Sequence, residues 1–280
     1  MKKKNIILIA LLVLIMGGQV FGQTVNTRQL DEVMNNGNVN LVSANGTGNI
    51  GSVAGRLRNN TASDILVNIN INNGLYLANS GPGQNMLVHA VYNGDSTYNV
   101  SGAARFIRLP ANSTSNVVFS ALCANRTLPT PQQDHSFTLA SMPSDLQRVS
   151  STLSRYNATN SNRNFTAMQL ALWRSQGNSA LDIMENYSFT QEDWNASSNI
   201  LGIVEVNYAL SGTYAYNHMY SFSISESSFS LNWGGTIYTG AYSRISNVLL
   251  LQPSGRRPFI FLVNNSNELM DMEDDIWRRL

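Results

Sequence analysis

The stretch 220–233 confines the chain more than any other. Tyr220, Phe222 and Ile224 alternate with Ser221, Ser223 and Ser225; Phe229, Leu231 and Trp233 alternate with Ser230 and Asn232. A period of two puts the large side chains on one face and the hydroxyls on the other, which suits a half-wet strand and no helix. The pattern also occurs earlier, where Ile65, Val67, Ile69 and Ile71 alternate with Leu66, Asn68, Asn70 and Asn72. Turn formers punctuate both regions: Asn73-Gly74, Ser80-Gly81-Pro82-Gly83, Asn93-Gly94-Asp95 and Pro110-Ala111-Asn112-Ser113. Short strands are therefore expected at 86–92, 97–100, 104–109 and 116–122, with more at 236–242, 247–252 and 259–263.

Between these strand regions the period lengthens. Leu146, Val149 and Leu153 fall on one helical face, as do Phe165, Met168 and Leu172, with Gly177 as a stop. Thr190 and Asp193 have the spacing of a capping box. A short helix is also expected around 27–34. Residues 267–280 read as a final amphipathic helix, with Glu268 and Asp271 first and Arg278 and Arg279 last, as the helix dipole favours. The expected class is α+β: an Ig-like antiparallel β-sandwich, a helical segment and further C-terminal antiparallel strands. The expected segments are a signal peptide (1–22), a polar N-terminal stretch (23–55), sandwich strands (56–142), a helical segment (143–210), C-terminal strands (211–266) and the final helix (267–280).

Only 12% of residues are charged, against about 25% in an average soluble protein. The polar surface comes instead from 36 asparagines and 32 serines. Without clustered Lys and Arg to displace counterions, nucleic acid is excluded as a partner. Hydrophobic residues make up 43% and the net charge is +1, which excludes a disordered chain. The single cysteine excludes an internal disulfide framework and a Cys-rich zinc site. Lys2, Lys3 and Lys4, the uncharged apolar run 6–16 and the small residues up to Gly22 have the form of a cleavable leader. The run is too short to span a bilayer, which needs about 20 residues. Cleavage near Gly22 removes every lysine and leaves 15 arginines against 17 acids. The mature chain is thus expected outside the cytoplasm: periplasmic, surface-associated or secreted, with no membrane span.

Familiar catalytic sets are not evident. His89, His135 and His218 lack metal-ligand spacing, and Gly46, Gly48 and Gly51 lack the strand–turn–helix setting of a phosphate loop. Glu273-Asp274-Asp275 lacks the alternation of a calcium loop. No cofactor and no metal is expected. Glu185, Glu192, Asp193, Glu205 and Glu226 are acid/base candidates by residue type only. Trp233, Tyr238 and Tyr242 are candidate glycan contacts, since flat rings beside amides and hydroxyls suit sugar faces. The most specific pairing is Cys123 with Gln169, because a thiol beside a carboxamide in a dry site can expel ammonia and leave an internal thioester.

Gln169-x-Ala171-Leu172-Trp173 resembles the Gln-x-Ala-aliphatic-Trp motif of bacterial thioester-domain adhesins. The resemblance covers these five residues and one upstream cysteine. It implies that Cys123 and Gln169 form the bonded pair, that Trp173 packs beside them, and that the protein binds its target covalently. The residues by themselves favour an exported, non-enzymatic binding or structural module of the envelope, facing a protein or glycan. The thioester adhesin and the glycan binder are the alternatives.

Overall fold

The computed structural model describes residues 27–95, 105–160, 163–205, 210–225 and 227–280. The expected leader, the expected strand at 97–100 and Glu226 lie outside the described residues.

The first half is built on a six-stranded antiparallel sheet. Its strands are β1 (Val39–Gly46), β2 (Ser52–Asn59), β4 (Asn70–Asn79), β5 (Met86–Asn93), β7 (Thr114–Cys123) and β8 (Phe137–Ala140), in the order β1-β2-β7-β5-β4-β8. One strand therefore lies inside, and a second begins in, the stretch 23–55 that was expected to be polar with only a short helix. β1 is an edge strand with three of its eight residues exposed and only three buried, so it carries little apolar signal. Asn73-Gly74 does not end a strand as expected. β4 runs through it, and the register against β5 shifts between Asn70 and Leu75. Gly74 takes φ 69°, and a Cβ there would lie 2.3 Å from Ser150 Oγ, so only glycine permits this approach.

Alternation along β7 gives the sheet two dry faces. Val117, Phe119, Ala121 and Cys123 pack with a two-stranded ribbon, β3 (Ile65–Asn68) and β6 (Phe106–Leu109), and with α1 (Leu30–Asn35). Leu122 and Ala124 face α2 (Ser144–Thr159), α3 (Phe165–Ser175) and α5 (Gln191–Leu201). α4 (Ala180–Met184) and α5 each begin with a full capping box, Ser179/Asp182 and Thr190/Asp193. The expected Ig-like sandwich is thus corrected to a sheet covered by a ribbon and one helix on one side and by helices on the other. The helices lay their apolar stripes on the sheet and keep their polar faces in water, so the helical segment takes the place of a second sheet.

The second half is a closed, eight-stranded antiparallel barrel. β9 (Gly212–Asn217), β10 (Tyr220–Ile224), β11 (Ser228–Trp233), β12 (Thr236–Ile245), β13 (Val248–Pro253), β14 (Phe259–Asn265), β15 (Glu268–Asp271) and β16 (Ile276–Arg279) follow one another, and β16 closes on β9. The expected C-terminal helix is therefore two strands. Asp274 at φ 66° sits in the turn between them, and Trp277, 1% exposed, fills the barrel with Phe222 and Phe261. The barrel interior is apolar, with Tyr214, Leu231, Leu249 and Leu251 also buried inside, while Thr213, Ser223 and Ser230 lie on the outside. A membrane-spanning barrel has the reverse polarity.

One outer flank of the barrel is apolar. Val248, Leu250, Ile260 and Leu262 pack in the same core as Leu181, Tyr187 and Trp194. Glu205 fastens this seam. It accepts hydrogen bonds from Arg174 Nη2 (2.5 Å), Trp194 Nε1 (3.1 Å) and Ser198 Oγ on Oε1, and from Ser246 Oγ of the barrel on Oε2. The Ser246 N–H also donates to Gln191 Oε1 (2.9 Å).

Candidate functional site

Cys123 ends β7 where its neighbour runs out. β2 starts at Ser52, opposite Ser120, and the Ala121 N–H reaches Gly51 O (3.0 Å). Past that point no strand residue among the described residues pairs on this side, while Met86 of β5 covers the other. α3 crosses the open position. Its Leu170 and Trp173 go to one sheet face and its Ala167, Met168, Ala171 and Leu172 to the other, which leaves Gln169 pointing at the strand end.

The Gln169 carboxamide replaces the missing ladder residue. The Cys123 N–H donates to Gln169 Oε1 (2.8 Å), and Gln169 Nε2 donates to Cys123 O (2.9 Å). Trp173 Nε1, one helical turn on, donates to the same carbonyl (2.8 Å). All three side chains are buried, with Gln169 only 1% exposed. The residues singled out for a thioester thus converge across 46 positions of sequence. Burial pushes the Cys123 thiol up to about 11, so it is protonated at neutral pH.

A recess of about 380 Å³ opens onto this pair, lined also by Gln84, Arg126, Leu128 and Tyr187. Tyr187 meets Trp173 edge-on at 5.2 Å. Arg126 is anchored by Asn178 Oδ1, Asp182 O and Glu185 Oε2. Gln84, 5% exposed, has an Oε1 with no partner among the described residues. Neither Gln84 nor Arg126 stood out in the sequence, since isolated polar residues in loops have no periodicity to reveal them.

The aromatic candidates occupy the barrel. Trp233 packs on Tyr220, Phe259 and Trp277 at 5.1–6.0 Å, and Tyr238 on Phe259 at 5.8 Å with Arg256 over its ring. Tyr242 lies four residues further along β12 from Tyr238, roughly 13 Å at strand spacing, so the three do not form one platform. The acids serve the scaffold: Asp193 caps α5, Glu185 pairs with Arg126 and Glu205 with Arg174. His89 is buried against Ser120 Oγ, and burial followed by the charge of Arg163 lowers it to about 4. His135 Nδ1 sits 3.2 Å from Asn79 Nδ2. Among the described residues no cluster of three or more His, Cys, Asp or Glu side chains is arranged to hold a metal.

No family model, no curated protein and no solved structure matches the chain.

Proposed function

We propose that this protein is an exported envelope or surface module that attaches covalently to its target through a thioester between Cys123 Sγ and Gln169 Cδ. The observation that carries this reading is the clamp on Cys123: its N–H holds Gln169 Oε1, while its carbonyl takes donors from both Gln169 and Trp173. Sγ adds to Cδ, the Cδ–Nε2 bond breaks, and the thiol proton leaves on nitrogen as ammonia. The Cys123 N–H already lies on the oxygen that gains negative charge in that addition. When Nε2 departs, Trp173 Nε1 keeps the Cys123 carbonyl satisfied, so no buried acceptor is orphaned. Gln169 is only 1% exposed, so water meets the acyl carbon only through the recess by which a target amine would enter.

Capture reverses the roles. An amine on the target adds to Cδ, the Cδ–Sγ bond breaks, and the sulfur takes the amine's proton, giving an amide and a free Cys123 thiol. The protein acts once per molecule, as a binding module and not as an enzyme. The amide-rich composition and the leader-like sequence at 1–22 support a place outside the cytoplasm. Methylamine tests the reading: the mature protein is expected to take up one methylamine at Gln169 and to release one titratable thiol. A protein whose thiol is free before treatment and whose Gln169 stays unmodified contradicts it.

A further inference from the structure

We propose a second binding site, for a phosphate monoester carried on a compact hydroxylated body, in the cavity between the β3–β4 junction, the start of β6 and the end of α2. The cavity holds about 600 Å³, within the range of small-ligand sites. Two arginines line it, Arg105 just ahead of β6 and Arg163 just ahead of α3. Both are exposed, so their charges face the open cavity instead of being spent inside the fold. Arg105 makes no ion pair among the described residues. Arg163 Nη1 donates to Tyr92 Oη (2.5 Å), which holds the side chain and leaves its other N–H groups for a ligand. Two amides add donors. Asn68 Oδ1 accepts from the Asn70 N–H (3.1 Å), and Asn70 Oδ1 accepts from Asn157 Nδ2 (2.7 Å). Both asparagines line the cavity, so each has its oxygen engaged and its Nδ2 to spare. No aspartate or glutamate lines the cavity among the described residues, and the sequence at 96–104 and 161–162 contains none. Donors from four positions with no acid among them call for an anion.

The donors define which anion. A phosphate monoester carries about −1.5 to −2 at pH 7, which balances two arginines, whereas a carboxylate balances one. The monoester also has a third terminal oxygen for the amides once the planar arginine forks have each engaged the group. Phe106, half-buried, lines the same cavity and gives it a flat apolar wall. The apolar face of a sugar ring can lie on that wall, while its hydroxyls meet the asparagine amides. One feature opposes an anion: α2 ends here, with Ala158 in the wall. A helix C-terminus carries at most about half a negative charge. Asn160 already covers part of it, donating both its Nδ2 (2.9 Å) and its N–H (3.1 Å) to Tyr156 O. Two full guanidinium charges outweigh the remainder.

Glucose 6-phosphate, glucose and inorganic phosphate separate charge from body. With the full mature protein at pH 7 and fixed ionic strength, glucose 6-phosphate is expected to give saturable NMR shifts at the side-chain amides of Asn68 and Asn70, and glucose none. Inorganic phosphate, which leaves the Phe106 wall bare, is expected to bind about tenfold more weakly. Arg105→Ala removes an exposed side chain with no ion pair among the described residues, so the fold is expected to survive it. It is expected to weaken binding about tenfold or more, the loss of a hydrogen bond to a charged group. Arg58→Ala, at an exposed arginine of β2 outside the cavity, is expected to bind as wild type. So is Cys123→Ala, which keeps this site distinct from the thioester. Equal affinity for inorganic phosphate and glucose 6-phosphate, shifts from glucose, no saturation, undiminished binding in Arg105→Ala, or as large a loss in Arg58→Ala or Cys123→Ala overturns the proposal.

Discussion

Replacing Cys123 with alanine removes little packing but, in the thioester form, a whole cross-link. The bond joins residues 46 apart. Closing a loop of that length removes unfolded-state entropy worth up to about 4 kcal/mol in the chain-entropy model. The lost buried sulfur itself accounts for about 1 kcal/mol. Cys123→Ala is therefore expected to destabilise by up to about 5 kcal/mol. Gln169→Ala loses the same cross-link and leaves the Cys123 N–H without its acceptor, adding about 1–3 kcal/mol. Because both substitutions break one bond, the double variant is expected to fall short of the sum of the singles by about the cross-link term. Urea denaturation followed by hydrogen exchange of the β5 and β7 amides measures all three. Additive losses, with Cys123→Ala near 1 kcal/mol, would refute the cross-link.

Trp173→Phe leaves Cys123 O to Gln169 Nε2 alone in an unreacted protein, but to nothing once ammonia has left. Its cost is expected to be about 1 kcal/mol larger in wild type than in a Cys123→Ala background, as read from urea midpoints. His89 is lowered to about 4 in the folded state, from 6.5 unfolded. Its contribution is complete above pH 6.5 and is lost as pH falls toward 4, up to about 3 kcal/mol; His89→Gln is expected to flatten that part of the stability–pH curve. Burial pushes the Glu205 carboxyl upward, but hydrogen bonds from Ser198 and Arg174 and the charge of Arg174 outweigh this and hold it below 4.5. Its contribution is present above pH 4.5 and lost as pH falls through the folded value. Glu205→Gln is expected to cost about 2 kcal/mol at pH 7 by thermal melting, and less in acid. Trp277→Ala, stripping a 1% exposed ring from the barrel, is expected to cost about 3–5 kcal/mol and to erase the near-ultraviolet circular dichroism of the aromatic core.

Local pattern revealed what local physics decides. Alternation at Tyr220–Ile224 and Ser228–Trp233 marked two neighbouring barrel strands, and the spacing of Leu146, Val149 and Leu153 marked α2. It failed where a distant partner decides. Residues 267–280 have helical spacing and dipole-friendly charges, yet β16 pairs with β9, some sixty residues back, to close the barrel, and no window of sequence shows that bond. Asn73-Gly74 looks like a hairpin turn, but the packing of Ser150 from α2 turns it into a bulge. The Cys123–Gln169 pairing was suggested by the chemistry of a lone thiol and a carboxamide and by the resemblance of Gln169-x-Ala171-Leu172-Trp173 to an adhesin motif, not by local pattern, because a strand end and a helix face share no local signal.

The mass of the intact mature protein bears most directly on the Cys123–Gln169 bond. A thioester predicts a mass lower than the sequence by one ammonia, with the deficit confined to a cross-linked pair of peptides carrying Cys123 and Gln169. A full sequence mass, with both residues recovered on unlinked peptides, contradicts it.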